Sequence, residues 1–173
     1  MIYVTQGFEG GATLSLFLRA CACFNPQTLE NFTLIIDNNV VKKLSNFKLI
    51  DDYLCGEGLR LPVLSFDCSK LNSPSQESLE LALELIEEGD FLLTLPTNKD
   101  QLKINKKAVG GYTEFFRQYF EKNNYPMTFK SPSMQMLLIS DHVSLAKASQ
   151  LCADDFISKI KTALESNYFE IDK

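Results

Sequence analysis

Residues 91–99, FLLTLPTNK, join an apolar run to a short polar loop. Large apolar side chains fill most of residues 91–95, as expected of a strand whose sheet is covered on both faces. Pro96 ends the run, because proline cannot donate a hydrogen bond to a neighbouring strand. Thr97, Asn98 and Lys99 then place a hydroxyl, an amide and an ammonium group at the carboxyl end of this strand.

Strands and helices alternate along the chain on both sides of this stretch. Predicted strands are 1–5, 32–37, 61–68, 91–95 and 134–140, and predicted helices are 12–24, 40–47, 73–89, 112–123 and 153–166. This order predicts an α/β fold, a three-layer α/β/α sandwich with a mostly parallel sheet. The most continuous apolar runs, 32–37, 91–95 and 137–140, are predicted to be its central strands.

The helix that precedes residue 91 carries a clear start signal. Ser73 can cap its amino terminus, Pro74 suits its first turn, and Gln76 has the spacing that completes a capping box. Gly89 is expected to end this helix.

Composition excludes several classes of function. The 173 residues are 45% apolar and 23% charged, and the formal net charge is −5. A negative chain of this kind is not expected to bind nucleic acid, and no apolar run reaches the roughly 20 residues that a membrane-spanning helix needs. The odd number of cysteines, which lie mostly in apolar segments, indicates buried free thiols in the reducing cytoplasm.

Three polar or glycine-rich segments follow predicted strands, namely 7–11, 96–99 and Asp141-His142. Ligands of parallel α/β folds bind beyond the carboxyl ends of strands, so these segments are predicted to line one crevice. Backbone amides near Gly7 could hold an anion, although a tight turn explains its glycines equally well.

Asn98 and Lys99 suit a phosphorylated or carboxylated metabolite, since the ammonium group supplies charge and the amide supplies directional hydrogen bonds. Asn98 could instead cap the short helix that follows it. His142, the single histidine, could be a metal ligand or a general base, or it could be structural.

Four segments, in order along the chain, resemble motifs of the 4-hydroxythreonine-4-phosphate dehydrogenase family of pyridoxal phosphate biosynthesis. Residues 5–11, TQGFEGG, resemble the family's Thr-Pro-Gly-Asp/Glu-Pro-Ala-Gly, and residues 94–99, TLPTNK, are similar to Thr-Ala-Pro-Ile-Asn-Lys. Residues 111–114, GYTE, resemble Gly-His-Thr-Glu, and residues 140–145, SDHVSL, resemble Thr-Thr-His-Leu-Pro-Leu.

The resemblance implies an NAD-linked oxidoreductase with a fold like that of isocitrate and isopropylmalate dehydrogenases. It implies a homodimer that acts on a phosphorylated hydroxy amino acid with the help of a divalent metal (zinc, magnesium or cobalt). Its substrate-binding positions correspond to Asn98, Lys99, Tyr112 and Thr113, with tyrosine in place of the family's histidine at Tyr112. The first of three metal-binding histidines corresponds to His142.

The chain departs from the family pattern in ways that bear on catalysis. The motifs of the other two metal-binding histidines and most NAD-binding positions of the family have no counterpart in this sequence. Residues 1–173 are therefore predicted to be a single α/β unit that corresponds to the amino-terminal half of the family, with a possible lobe boundary near 100–112. We expect a chain that binds a phosphorylated metabolite or a partner without turnover on its own, and with no cofactor of its own.

Two alternatives remain open at this point. The chain could be an active oxidoreductase that is completed by a second chain or by a homodimer, or it could be a structural interaction module. Self-association or pairing with another chain is expected, because the aromatic residues of 112–120 exceed what one core face requires; the alternative is a compact monomer that buries them all.

Overall fold

A computed structural model of the chain describes residues 1–68, 72–122, 124–140 and 143–166. The chain divides into two compact units, Met1–Gly111 and Tyr112–Lys173. No helix in the described ranges combines the length and the apolar character that a membrane span requires.

The first unit contains a six-stranded sheet with helices on both faces. Its strands are β1 (Ile2–Thr5), β2 (Phe32–Asp37), β3 (Lys48–Ile50), β4 (Tyr53–Gly56), β5 (Leu59–Phe66) and β6 (Phe91–Thr94). They are arranged in the order β3-β4-β5-β2-β1-β6. The four strands from β5 to β6 are parallel, and β3 and β4 run antiparallel to their neighbours. The predicted mostly parallel α/β fold is confirmed.

Successive side chains of β2 point to opposite faces of the sheet, and both of these faces are covered by helices. Leu34 and Ile36 lie in one core cluster with residues of α1 (Thr13–Cys21), α2 (Pro26–Leu29) and α3 (Asn38–Lys43). Ile35, which points to the other face, is also fully buried, and there α4 (Pro74–Leu85) packs against β1 and β2. Because both faces of β2 are covered, its continuous apolar sequence was a reliable signal, and the predicted bounds are confirmed.

The start of α4 agrees with the sequence, but the role of Gln76 does not. Ser73 Oγ accepts a hydrogen bond from Gln76 N over 3.2 Å, as a cap should. The Gln76 side chain does not reach back to complete a capping box. It donates to the Lys103 carbonyl over 3.0 Å and accepts from Lys103 N over 2.9 Å, so it fastens α4 to the segment that follows β6.

The prediction that residues 91–95 form a central strand is wrong. Among the described residues β6 is an edge strand that pairs with β1 alone, and 68% of Phe91 is exposed. Phe91 and Leu93, which lie on one face of β6, are both exposed, so the continuous apolar run did not reveal that this face and one edge of the strand are uncovered among the described residues.

After β6 the first unit continues with a short 3₁₀ turn, Lys99–Gln101, and a small antiparallel pair, β7 (Lys103–Ile104) and β8 (Lys107–Ala108). Of the five cysteines, all of them free, only Cys21 is buried. Cys55 and Cys68 are half-buried, and the prediction of buried thiols is wrong for the exposed Cys23 and Cys152.

The second unit contains α5 (Tyr112–Tyr119), β9 (Met127–Ser131), β10 (Met134–Leu138), α6 (Leu145–Ala148) and α7 (Ala153–Glu165). The predicted central strand 137–140 is wrong, because β10 pairs antiparallel with β9 in a two-stranded hairpin. Sequence alone could not distinguish the two, because five apolar or amide residues in a row satisfy either arrangement.

We predict that Gln76→Ala destabilises the protein by about 1–3 kcal/mol, because the Lys103 backbone amide and carbonyl lose their partners. Glu84→Ala, on the exposed side of the same helix, should change the free energy of unfolding by less than about 0.5 kcal/mol. Urea unfolding of both variants provides the measurement. Equal effects of the two substitutions would contradict this account of Gln76.

Candidate functional site

The loops that follow β1 and β6 meet at the carboxyl edge of the parallel strands. Phe8 N donates a hydrogen bond to the Pro96 carbonyl over 2.9 Å. Gly7 has a φ of +67°, and a Cβ atom at this position would lie 2.6 Å from the same carbonyl oxygen. Glycine is therefore required by the backbone conformation and by the close approach of the two loops.

A shared acceptor ties this edge to α4. Gln101 Oε1 accepts a hydrogen bond from Thr97 Oγ1 over 2.9 Å and lies 3.0 Å from Ser75 Oγ. Ser75 is buried, and its hydroxyl also contacts the Gly7 carbonyl, so its proton can serve one of the two acceptors at a time. The Thr97 hydroxyl is engaged within the protein and serves to position the loop.

Asn98 and Lys99 follow Thr97 in this loop, and their side chains have no partner among the described residues. Asn98 takes the position that precedes the 3₁₀ turn, but its side chain makes no capping bond; its carbonyl alone accepts from Gln101 N over 3.0 Å. Both residues are exposed, and neither side chain hydrogen-bonds or ion-pairs with another described residue. The capping alternative for Asn98 is not what the structure shows.

The amino terminus of α1 lies after the glycines of the β1 loop. Ala12 occupies the cap position, and no side chain caps this nine-residue helix. The amides of its first turn therefore lack the usual side-chain acceptor, and backbone amides at such a position favour an anion. Together with Lys99, this edge offers groups that suit a phosphate or a carboxylate.

Sequence analysis missed Gln6, which stands where the resembling motif has proline. Gln6 N donates to Ser78 Oγ over 3.2 Å, and Gln6 Oε1 accepts from Asp37 N over 2.6 Å. Its Nε2 is buried and has no hydrogen-bond partner in the part of the chain that the structure describes. The Asp37 amide can only donate, which fixes the orientation of the side-chain amide. Gln6 thus joins the ends of β1 and β2, and its departure from the motif was the available signal.

Asp37 and Cys68, also at this edge, are poor candidates for acid–base or nucleophilic chemistry. The buried Asp37 carboxylate accepts from Asn39 N over 3.1 Å and caps α3. Burial, followed by the hydrogen bond to the Glu77 carboxylate, raises the pKa of the Cys68 thiol to about 12. The thiol stays protonated at neutral pH, and the nucleophilic thiolate does not form there.

The remaining candidate residues lie outside the first unit. Tyr112 and Thr113 begin α5 in the second unit, where both are half-buried and the Tyr112 ring stacks on Phe116 with 6.2 Å between centroids. Whether Thr113 faces the same ligand as Lys99 stays a prediction. Asp141 and His142 lie outside the described residues.

The residues that the structure describes contain no set of ligands for a divalent metal. Within 1–68, 72–122, 124–140 and 143–166, no three histidine, cysteine, aspartate or glutamate side chains come together in a metal-binding group. These residues do not fit the metal site that the resemblance implies.

Comparison with known proteins gives a consistent result. The family described as "Pyridoxal phosphate biosynthetic protein PdxA" matches residues 58–170. The chain is 32% identical over 95 residues to 4-hydroxythreonine-4-phosphate dehydrogenase of Helicobacter pylori, which covers 54% of this chain and 31% of that protein. It is 28% identical over 86 residues to an Oceanobacillus iheyensis protein provisionally named D-threonate 4-phosphate dehydrogenase, which covers 49% of this chain and 26% of that protein.

The fold has a counterpart among solved structures. The structure of 4-hydroxythreonine-4-phosphate dehydrogenase from Klebsiella pneumoniae superposes with a TM-score of 0.67 at 18% identity. The superposition covers 94% of this chain but only 57% of that protein. The chain thus spans little more than half the length of its structural relative.

We predict that Gly7→Ala destabilises the protein more than Gly58→Ala does. Both glycines have a left-handed backbone, which costs alanine about 1–2 kcal/mol. A Cβ at Gly58 meets nothing within 4 Å, whereas at Gly7 it meets Pro96 and Leu95, which should add about 1–3 kcal/mol. Thermal and urea unfolding provide the comparison, and equal losses would show that the two loops can separate without cost.

Proposed function

Because the chain belongs to the PdxA family of pyridoxal phosphate biosynthesis, we propose that it binds a phosphorylated small metabolite at the edge where Asn98 and Lys99 lie. The single observation that carries this proposal is that both side chains are free of partners within the described protein while the loop beneath them is fixed. Neither side chain has to give up a hydrogen bond or an ion pair within the described protein when a ligand binds, and the loop beneath them is already ordered.

The chemistry of the edge favours an anionic group. Lys99 supplies a full positive charge, Asn98 supplies an amide donor, and the uncapped first turn of α1 supplies backbone amides. The net charge of −5 would otherwise repel an anion, so binding depends on these local donors. Thr113 is proposed as a further ligand-binding residue, and Tyr112, in place of histidine, provides a hydroxyl without the positive charge that an imidazolium can carry.

We assign the chain a binding role and propose that turnover requires a completing chain. An oxidoreductase of the implied kind needs NAD to accept a hydride and a divalent metal to polarise the substrate, and the described residues of this chain form no metal-binding group. One histidine cannot reproduce a three-histidine site, and residues 1–173 cover 57% of the length of the structural relative. A second chain or a second copy could supply what is lacking.

Free cysteines suit a cytoplasmic location.

Lys99→Ala should weaken binding of inorganic phosphate and of 4-hydroxythreonine 4-phosphate about tenfold or more, the equivalent of one lost charge-assisted hydrogen bond. Lys48→Ala, which removes an exposed lysine from the far edge strand β3, should leave both affinities unchanged. Isothermal titration calorimetry provides the measurement. If neither ligand binds at millimolar concentration, or if both substitutions have the same effect, Lys99 is a solvated surface residue and the chain is an interaction module.

The isolated chain should not reduce NAD when it is supplied with 4-hydroxythreonine 4-phosphate and zinc, magnesium or cobalt. The reason is that His142 is the only histidine available to the metal. Absorbance at the NADH band follows the reaction, and the Klebsiella pneumoniae enzyme serves as a positive control. Turnover that His142→Ala abolishes would contradict the proposal and would indicate an active site rebuilt within a homo-oligomer.

A further inference from the structure

A cavity of about 310 Å³ lies in the first unit, between α1 and the segment that joins α3 to β3. It is lined by Ser15, Leu18 and Arg19 of α1, by residues 43–47, and by Glu57 in the turn between β4 and β5. Neither Asn98 nor Lys99 lines it, so it is separate from the ligand site proposed above.

The floor of the cavity is apolar, and its shape is set by the packed backbone. Leu18 is buried in the core cluster, and the half-buried Leu44 and Phe47 pack against the same cluster. Phe47 N donates a hydrogen bond to the Leu44 carbonyl over 3.0 Å, which closes the turn that carries both side chains. This turn lies directly against β4, because a Cβ atom at Gly56 would overlap the Asn46 carbonyl. The cavity is therefore formed before any ligand arrives.

Its size and lining resemble those of a site for a small molecule. Such sites have volumes of roughly 300–1,000 Å³ and combine apolar walls with a few polar groups that fix the orientation of the ligand. This cavity, at about 310 Å³, is at the lower end of that range. Its polar groups are the hydroxyls of Ser15 and Ser45, the Asn46 amide and three charged side chains.

The three charged side chains differ in what they already contact. The Lys43 ammonium lies 3.3 Å from Glu9 Oε2, and the Glu57 carboxylate accepts a hydrogen bond from Asn46 Nδ2. The exposed Arg19 guanidinium makes no hydrogen bond or ion pair with any described residue. Its place in the last turn of α1 suits a positive charge, but its N–H donors remain available to a ligand.

We propose that this cavity binds a small organic acid that has one carboxylate and an apolar body, and that Arg19 recognises the carboxylate. A guanidinium presents parallel N–H donors that match the two oxygens of a carboxylate. The apolar body would lie on Leu18, Leu44 and Phe47, and its burial would add the hydrophobic part of the affinity.

The other charges of the cavity limit the ligand to a single negative charge. Lys43 is already paired with Glu9, so among the described residues of the lining Arg19 is the one cation without an acidic partner. The Glu57 carboxylate lines the same cavity and repels a dianion more strongly than a monoanion. The cavity should therefore prefer a monocarboxylate over a phosphate.

Titration of the ¹⁵N-labelled chain with benzoate tests the proposal, because benzoate combines one carboxylate with an apolar ring. The amides of Leu18, Leu44 and Phe47 should shift along one saturable binding curve. Benzyl alcohol keeps the ring but lacks the charge, and inorganic phosphate lacks the ring and carries more charge. Each of them should bind about tenfold more weakly than benzoate, or less tightly still.

Arg19→Gln should weaken the binding of benzoate about tenfold or more, because the charge-assisted hydrogen bonds to the carboxylate are lost. Lys42→Gln is the matched control, since it removes the same charge from an exposed lysine in the last turn of α3 that does not line the cavity. It should leave the affinity for benzoate within about twofold of wild type, because solvent and salt screen a charge at the surface. Circular dichroism establishes that both variants fold, and the comparison of benzoate with benzyl alcohol on the wild type needs no variant.

Four results would overturn the proposal. The first is the absence of a saturable shift of the cavity amides at benzoate concentrations up to about 20 mM, and the second is equal affinity for benzoate and benzyl alcohol. The third is a folded Arg19→Gln that binds benzoate as wild type does or loses no more affinity than Lys42→Gln. The fourth is a set of benzoate shifts confined to Asn98 and Lys99, which would place the carboxylate at the other site.

Discussion

The missing side chain of Gly7 allows the loop after β1 to lie against the Pro96 carbonyl after β6. The rest of the candidate site depends on this contact. It brings the two loops to one edge of the sheet, where Ser75 of α4 reaches the Gly7 carbonyl and Gln101 accepts from Thr97. Strand, loop and helix are thereby fastened around a single point.

Neighbouring residues at this edge therefore have different roles: some hold the loop in place, and others are available to a ligand. The loop is fixed by hydrogen bonds that the side chains of Thr97, Ser75 and Gln101 make with one another and with the backbone. The side chains of Asn98 and Lys99 make no hydrogen bond or ion pair with any described residue. The backbone that carries these two side chains is fixed by its hydrogen bonds, and a rigid support of this kind is one requirement of a binding site.

Much of the first unit could be predicted from the sequence, because local signals there agreed with the tertiary environment. β2 is apolar and buried on both faces, and Ser73 caps α4 as its sequence indicates. β6 was placed wrongly because the same apolar pattern occurs in an edge strand. The hairpin was missed because the sequence pattern of β9 and β10 does not indicate which strand each of them pairs with.

The site could be predicted only in part, for a related reason. Residue type and position after a strand were enough to select Asn98 and Lys99, since they depend on local sequence. The roles of Gln6 and Gln76 could not be predicted, because each depends on a hydrogen bond to a residue distant in the chain: Asp37 for Gln6 and Lys103 for Gln76. Hydrogen bonds between residues distant in the chain depend on the packed fold, and no periodic pattern in the sequence indicates them.

The central claim is that the loops after β1 and β6 form one anion-binding edge. Titration of the ¹⁵N-labelled protein with 4-hydroxythreonine 4-phosphate tests it most directly, because amide chemical shifts report on each loop separately at 19.6 kDa. The account predicts that the amides of Gly10, Gly11, Asn98 and Lys99 shift together along one saturable binding curve. Shifts confined to other parts of the chain, or two loops that respond with different affinities, would contradict it.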